Sequence, residues 1–264
     1  MVGQQLVGQQ LRHWRERRRV SQLDLSLQAG ISARHLSFVE TGRSRPSSRL
    51  ILRLSEQLDV PLRQRNALLL AGGFAPAYPE HALDTPPLSA VTEAMRQVLR
   101  GHLPNPALAV DRHWELIDAN DAVGGLLGGA AAHLLEPPVN VLRLSLHPDG
   151  MAPRIANLGQ WRHHVLTRLR GQAERAGDPF LAGLHEELRG YPGGEEAPPG
   201  DPGSEAVIVP LRIRLDGAEL SFLSTTTVFG APLDVTVAEL AIESFYPADA
   251  RTAAAVRKLT PGLP

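Results

Sequence analysis

The 264-residue chain predicts two domains of different class. Residues 1–74 read as an all-α domain, residues 105–264 as an α/β domain with an antiparallel sheet, and residues 75–104 as a linker and connecting helix. Three observations predict this. Up to about residue 71, apolar residues recur three and four apart, in runs opened by serine or proline and closed by glycine or a polar turn. Residues 206–230 alternate in part and are rich in β-branched and aromatic side chains around an Asp216-Gly217 turn. The charge also changes sign: residues 1–74 hold 12 basic and 5 acidic side chains, net +7, and residues 75–264 hold 15 and 23, net −8.

The first domain reads as five short helices. Residues 4–18 carry Leu6, Leu11 and Trp14 roughly on one stripe, with Arg12, Arg15, Arg17, Arg18 and Arg19 elsewhere. Ser21 is an N-cap for a helix opening at Gln22, to which Leu23, Leu25 and Leu27 supply apolar side chains. Small residues Ser26 and Ala29 let a second helix cross closely, and Gly30 supplies the turn between them. Ser32 caps that second helix, which buries Leu36 and Val39 and ends at Glu40-Thr41-Gly42. Two helices around such a turn form the unit that places one helix in the DNA major groove. The loop Arg43-Ser44-Arg45-Pro46 leads to a fourth helix capped by Ser47 or Ser48, and Pro61 opens a fifth over 62–71.

Residues 74–88 contain four prolines and read as a linker. The helix predicted over 88–102 either joins the domains or pairs with its copy in a dimer. Two short strands flank Asp111-Arg112, a small helix covers 121–127, and residues 137–150 read as irregular. Amphipathic helices follow at 155–175 and 179–190. Residues 191–205 are low-complexity and read as a loop, with Glu195 and Glu196 as plain solvation. Strands are predicted at 206–215, 219–230 and 238–247, and a last helix at 249–258. Together they predict a curved sheet with helices on one face, an arrangement suited to enclosing a ligand cavity.

Composition narrows the function classes. A basic first quarter on an acidic remainder points to a nucleic-acid-binding head on a body with another task. There is no cysteine, so no disulfide framework and no thiolate metal site. No apolar run approaches the ~20 residues of a membrane span, and the amphipathic, then basic N-terminal stretch lacks the apolar core of a signal peptide. A soluble cytoplasmic protein with no membrane partner is expected. The basic charge is 26 arginines and Lys258, a usage resembling that of a GC-rich bacterial genome. No G-x-S-x-G elbow, H-E-x-x-H pair or nucleophilic cysteine is present, so an enzyme is not expected. His163 and His164 are adjacent and point about 100° apart on a helix, so they do not chelate one metal. No metal and no cofactor are expected.

Residues 11–74 resemble bacterial helix-turn-helix regulators of the Xre, or lambda-repressor-like, class. The remainder resembles the MmyB-like ligand-binding domain. The most specific stretches are ISARHLSFVETGRSRPS, AVDRHWELIDAN, NVLRLSLHPDGMAPRIANLGQWRHHVLTRLR and PLDVTVAELAIESFYPADA. The resemblance implies a PAS-like fold for the second domain and a small apolar ligand, with a fatty acid as the example. It also implies that Gln22 holds a DNA phosphate. Ser26 departs from the class, which usually has alanine there, but is small enough to keep the helix crossing.

These readings give candidate residues. Base readout falls to the side of the second motif helix opposite Leu36 and Val39: Ser32, Ala33, Arg34, Ser37 and Phe38. A guanidinium pairs with both guanine acceptors, so Arg34 leads; Ala33 and Phe38 suit thymine methyls. Phe38 equally fits packing beneath the 42–47 loop, and His35 fits either a phosphate contact or plain exposure. Arg43 and Arg45, just beyond the helix, reach the DNA backbone, while Arg12, Arg17 and Arg18 are open between phosphate contact and a solvated face. One head covers half an operator, so a homodimer on double-stranded DNA is expected. For the body, Trp114, Leu126, Leu127, Trp161, Phe222 and Phe229 are the candidate ligand-pocket residues, each equally at home in an ordinary core. Arg143, Arg154 and Arg162 are candidates for an acidic ligand head, or for a pair with Asp149 or a neighbouring acid. Asn120 reads as a helix cap. The function expected is a sequence-specific transcriptional regulator whose second domain senses a small apolar or fatty-acid-like ligand. The alternative makes that domain a ligand-free dimerisation or protein-interaction module.

Overall fold

A computed structural model describes residues 2–193 and 208–259, with the side chains of residues 2–6 and 259 left aside. Leu6, Glu195, Glu196 and the start of the strand expected from residue 206 therefore lie outside what is described. The chain forms two compact units, residues 1–81 with 231–238, and residues 82–230 with 239–264.

The first unit is α1 (Val2–Arg17), α2 (Gln22–Gln28), α3 (Ala33–Glu40), α4 (Ser48–Gln57) and α5 (Leu62–Ala71), joined by the late segment α11 (Val235–Ala238). Local chemistry sets the helix starts. The hydroxyls of Ser21, Ser32 and Ser47 accept the backbone N–H of Asp24, His35 and Leu50. Gly30 turns the chain between α2 and α3 at φ +63. A Cβ on Gly8 would lie 2.2 Å from the Val39 carbonyl oxygen, so glycine lets α1 reach the end of α3. Leu11, Trp14, Leu25, Leu36, Val39, Ile51 and Leu54 share one core. Leu23 and Leu27, expected to add to it, are 59% and 70% exposed. Residues spaced by two cannot share a helix face, so burying Leu25 turns both neighbours outward.

The expected linker is ordered over its first part. Asn66 of α5 accepts the N–H groups of Ala77 and Tyr78 and donates to the Tyr78 carbonyl. Segment 231–238 then docks on that stretch: Val235 N–H donates to Pro79 O at 2.9 Å, His81 Nδ1 lies 2.8 Å from Asp234 Oδ2, and Thr236 Oγ1 donates to His81 O.

The second unit is built on an antiparallel sheet of β1 (Ala107–Val110), β2 (Leu116–Ala119), β3 (Leu211–Leu215), β4 (Ala218–Val228) and β5 (Ala241–Pro247), in the order β2-β1-β5-β4-β3. Its helices are α6 (Ser89–Gly101), α7 (Asp121–Gly124), α8 (Val141–Leu146), α9 (Leu158–Ala176), α10 (Pro179–Arg189) and α12 (Ala250–Leu259). Successive strand residues face opposite sides, and this alternation sorts the cores. Ala107, Ala109 and Ile242 pack with Met95 and Leu99 of α6. Val110, Leu220 and Phe222, with Leu108 and Phe245, join the larger core of α8, α9 and α10. Helices therefore cover both faces, not one, with Met95 and Leu99 of α6 packed on the sheet. Residues 137–150, expected to be irregular, contain α8, capped by Asn140 through the Arg143 N–H. Asn120 stands at the start of α7 without a side-chain capping bond. Its amide instead joins Leu99 O, Asn105 O and the Ala107 N–H. Among the described residues no helix is long and apolar enough to cross a membrane.

Candidate DNA-reading helix and ligand cavity

In the first unit, α3 buries Leu36, Val39 and Glu40 and exposes Ser32 and Arg34, with Ala33, His35, Ser37 and Phe38 half-buried. Ser32 is engaged as the N-cap. The Arg34 and Arg43 guanidinium carbons lie 5.3 and 6.0 Å from the Phe38 ring centroid. The aromatic ring thus gathers two cations where the sequence left its role open. Arg45 turns toward its own unit, 3.4 Å from Gly72 O and over the Phe74 ring. Arg18 is occupied by the Leu58 and Asp59 carbonyls, and Arg12 pairs with Glu16 at 2.7 Å.

The orientation of α3 rests on a buried polar centre that the sequence pattern does not single out. Arg15 grips Glu40 with Nε at 2.7 Å and Nη2 at 2.9 Å. Gln22 Nε2 donates to the same carboxylate at 2.7 Å. One carboxylate therefore ties α1, α2 and α3 together, and one of the two Gln22 N–H groups is committed to it.

The second unit encloses a cavity of about 390 Å³. Trp114 forms one wall from the β1–β2 turn. The Asp111 carboxylate accepts the N–H of His113 and Glu115, both at 2.8 Å, and holds Trp114 at φ +66. That left-handed backbone costs on the order of 1–3 kcal/mol and aims the indole inward. Its N–H is satisfied by Gln172 Oε1 at 2.8 Å, as that of Trp161 is by Ser145 Oγ at 3.0 Å. Leu126, Leu127, Val139, Leu142, Leu144 and Met151 supply much of the rest.

Of the pocket residues expected, the structure brings Trp114, Leu126, Leu127 and Trp161 together on the cavity wall. The others do not line it. Arg143 lies between buried Leu142 and Leu144, so it points away and pairs with Glu187 at 2.8 Å through two nitrogens. Arg162 donates to the carbonyls of Arg189 and Gly193 at and beyond the end of α10. Arg154 has its Nη2 buried without a hydrogen-bond partner among the described residues. Phe222 is fully buried in the core, and Phe229 packs beside Met95 on the other face of the sheet.

The polar end of the cavity belongs instead to His164, Arg168 and Glu243. Arg168 Nη1 lies 3.3 Å from Glu243 Oε2 and Nη2 donates to Glu243 Oε1. Nη2 also donates to Thr226 Oγ1 at 2.7 Å, and that hydroxyl donates to Glu243 Oε1 at 2.7 Å. The guanidinium carbon sits 4.5 Å from the Trp114 ring centroid. Burial, and then the charge of Arg168, holds the His164 imidazole below its ordinary pKa against the pull of Glu243. The usable signal was spacing: Trp161, His164, Val165 and Arg168 fall at i, i+3, i+4 and i+7, one helix face. Glu243 shares one face of β5 with Ala241 and Phe245, two residues to either side.

One cluster among the described residues has metal-ligating composition. His133, His147 and Asp149 offer atoms within 4.8 Å of one another near the surface. His147 Nδ1 there already accepts the Asp149 N–H at 3.0 Å.

A capped helix pair carrying exposed arginines, together with a sheet domain closed around an apolar cavity, defines a DNA-binding transcription regulator with a ligand-binding domain. The helix-turn-helix family model matches residues 11–64. The chain belongs to the MmyB-like transcription regulator ligand binding domain family, whose model matches residues 91–259. No curated protein matches it.

Proposed function

We propose that this protein binds an operator as a homodimer in the bacterial cytoplasm. In this reading α3 reads the bases, Arg34 first, and an apolar, fatty-acid-like molecule in the cavity modulates binding. The observation that carries the ligand reading is the cavity: two indoles with satisfied N–H groups leave mainly apolar surface around about 390 Å³. That volume lies within the ~300–1,000 Å³ typical of small-molecule sites. Gln22, Ser32, Ala33, Ser37, Phe38, Arg43 and Arg45 complete the proposed DNA surface. The proposed DNA-binding head spans residues 1–74, the linker and connecting helix 75–104 and the ligand-binding domain 105–264, and segment 231–238 packs with the head.

That segment also supports a route for modulation. β5 carries Glu243 at the cavity, β4 carries Thr226 bonded to that carboxylate, and the chain between these strands is the stretch that folds with the head. A ligand acts only through its differential affinity for two states. If the route holds, a double variant His81→Ala/Asp234→Ala keeps ligand binding and loses the ligand's effect on operator affinity. In vitro selection of DNA sites with and without apolar ligands tests the whole reading. It is expected to return two half-sites about one helical turn apart, with affinity that changes on adding ligand. A selected sequence with no ligand effect, and no shift in unfolding temperature, would instead make the second domain an interaction module.

A further inference from the structure

The charge at the cavity's polar end narrows the ligand class. Of the residues lining it, only His164, Arg168 and Glu243 ionise. The single cation, Arg168, is already matched by a carboxylate that grips two of its nitrogens, while Thr226 bridges the pair. His164 next to it is held in its neutral form at neutral pH. The wall therefore offers no uncompensated positive charge. A carboxylate brought here gives up its water beside Glu243, which repels it, and it must displace Glu243 to reach Arg168. A hydroxyl, amide or ester meets no such cost. Arg168 makes three hydrogen bonds among the described residues, and a guanidinium carries five N–H groups, so it can also donate to a neutral oxygen.

We propose that the Arg168–Glu243 pair is a charge filter, and that the cavity takes an uncharged amphiphile with one hydrogen-bonding end in preference to a free carboxylic acid. This rests on the reading of the cavity as the ligand site. The volume sets the scale of the probe. At about 30 Å³ per water-sized group, the cavity holds roughly thirteen non-hydrogen atoms, the size of a dodecyl chain with a polar end.

The test is a matched series of dodecan-1-ol, dodecanamide and dodecanoic acid. Binding to the full chain is followed by calorimetry and tryptophan fluorescence at about pH 8, where the acid is ionised. The alcohol and amide are expected to bind at least about tenfold tighter than the acid, since leaving a charge poorly solvated costs more than the ~1.4 kcal/mol per decade of affinity. Equal or tighter binding of the acid overturns the filter but leaves the cavity as a ligand site. Binding by none of the three overturns the ligand reading and the filter with it. In Glu243→Gln the ratio of acid to alcohol affinity is expected to rise about tenfold or more, because Arg168 loses its counter-charge. An unchanged ratio in a cooperatively unfolding variant overturns the proposal. Should that variant not fold, methyl dodecanoate, which carries the same chain without the charge, is compared with dodecanoic acid on the unchanged protein. The ester is expected to bind at least about tenfold tighter than the acid, and equal or weaker binding of the ester overturns the proposal.

Discussion

Each unit of this protein is organised around an arginine–glutamate pair, and the two pairs differ in what surrounds them. In the head, the side chains of Arg15 and Glu40 are 10% and 1% exposed, and Gln22 takes the remaining contact. The partners of this pair come from α1, α2 and α3 and from the Val20 carbonyl between the first two, so the pair orients helices. In the second unit, the side chains of Arg168 and Glu243 are 31% and 7% exposed and stand on the wall of a cavity. The same chemistry on a cavity wall stands where the proposed ligand would meet it. The difference shows that the role of an ion pair is set by the space around it and not by the residues that form it.

The largest expected effect breaks the first pair. Glu40→Ala leaves Arg15 as an uncompensated buried cation and should remove about 3–5 kcal/mol from the stability of the helical unit, measured by urea unfolding. A loss well under 1 kcal/mol would mean that the pair does not organise the head. Glu243→Ala should cost less, on the order of 1.5–3 kcal/mol, because Arg168 retains access to water. Equal costs would erase the contrast between the two pairs.

Function sharpens the comparison next. Arg34→Ala touches no buried contact, so the unfolding curve should stay in place. Discrimination at one base pair should fall by about 1–3 kcal/mol, leaving weak, salt-sensitive binding. An unchanged protected sequence in footprinting would remove Arg34 as a base reader. On the cavity side, Gln172→Leu strands the Trp114 N–H and should cost about 1–3 kcal/mol, visible as a lower unfolding temperature and altered tryptophan emission.

The smallest effect lies on the surface. Arg143 holds the Glu187 carboxyl below its ordinary pKa, chiefly by hydrogen bonding and against the opposing effect of burial. The stabilisation is therefore present above the ordinary carboxylate range and is lost as pH falls through the depressed value. Both side chains are about a third exposed, so a double-mutant cycle should give only ~0.2–1 kcal/mol at neutral pH. It should give nothing once Glu187 is protonated. A coupling that grows on acidification would contradict the assignment.

Local signals are legible in the sequence. Ser21, Ser32 and Pro61 mark helix starts because a cap depends on a few neighbouring residues, and each stands at the start expected of it. Leu36 and Val39 mark the buried side of α3 through their spacing, which leaves the opposite face of the helix as the proposed base-reading side. Direction is harder to read. Arg143, Arg154 and Arg162 stand out by their stretch of sequence, yet none lines the cavity. Arg168 and Glu243 do not stand out, because charged residues in amphipathic elements usually face water.

By itself, then, the sequence determined two units of opposite charge, the helix pair with its caps, and a later antiparallel sheet. These follow from periodicity and composition, which act over a few residues or over whole segments. Only the tertiary structure decided which carboxylate each arginine meets, that α6 covers the far face of the sheet, and that residues 231–238 fold with the head. Those outcomes join positions far apart in the chain, Arg15 with Glu40 and Arg168 with Glu243. Their energy depends on burial and distance, quantities that exist only once the chain has closed on itself.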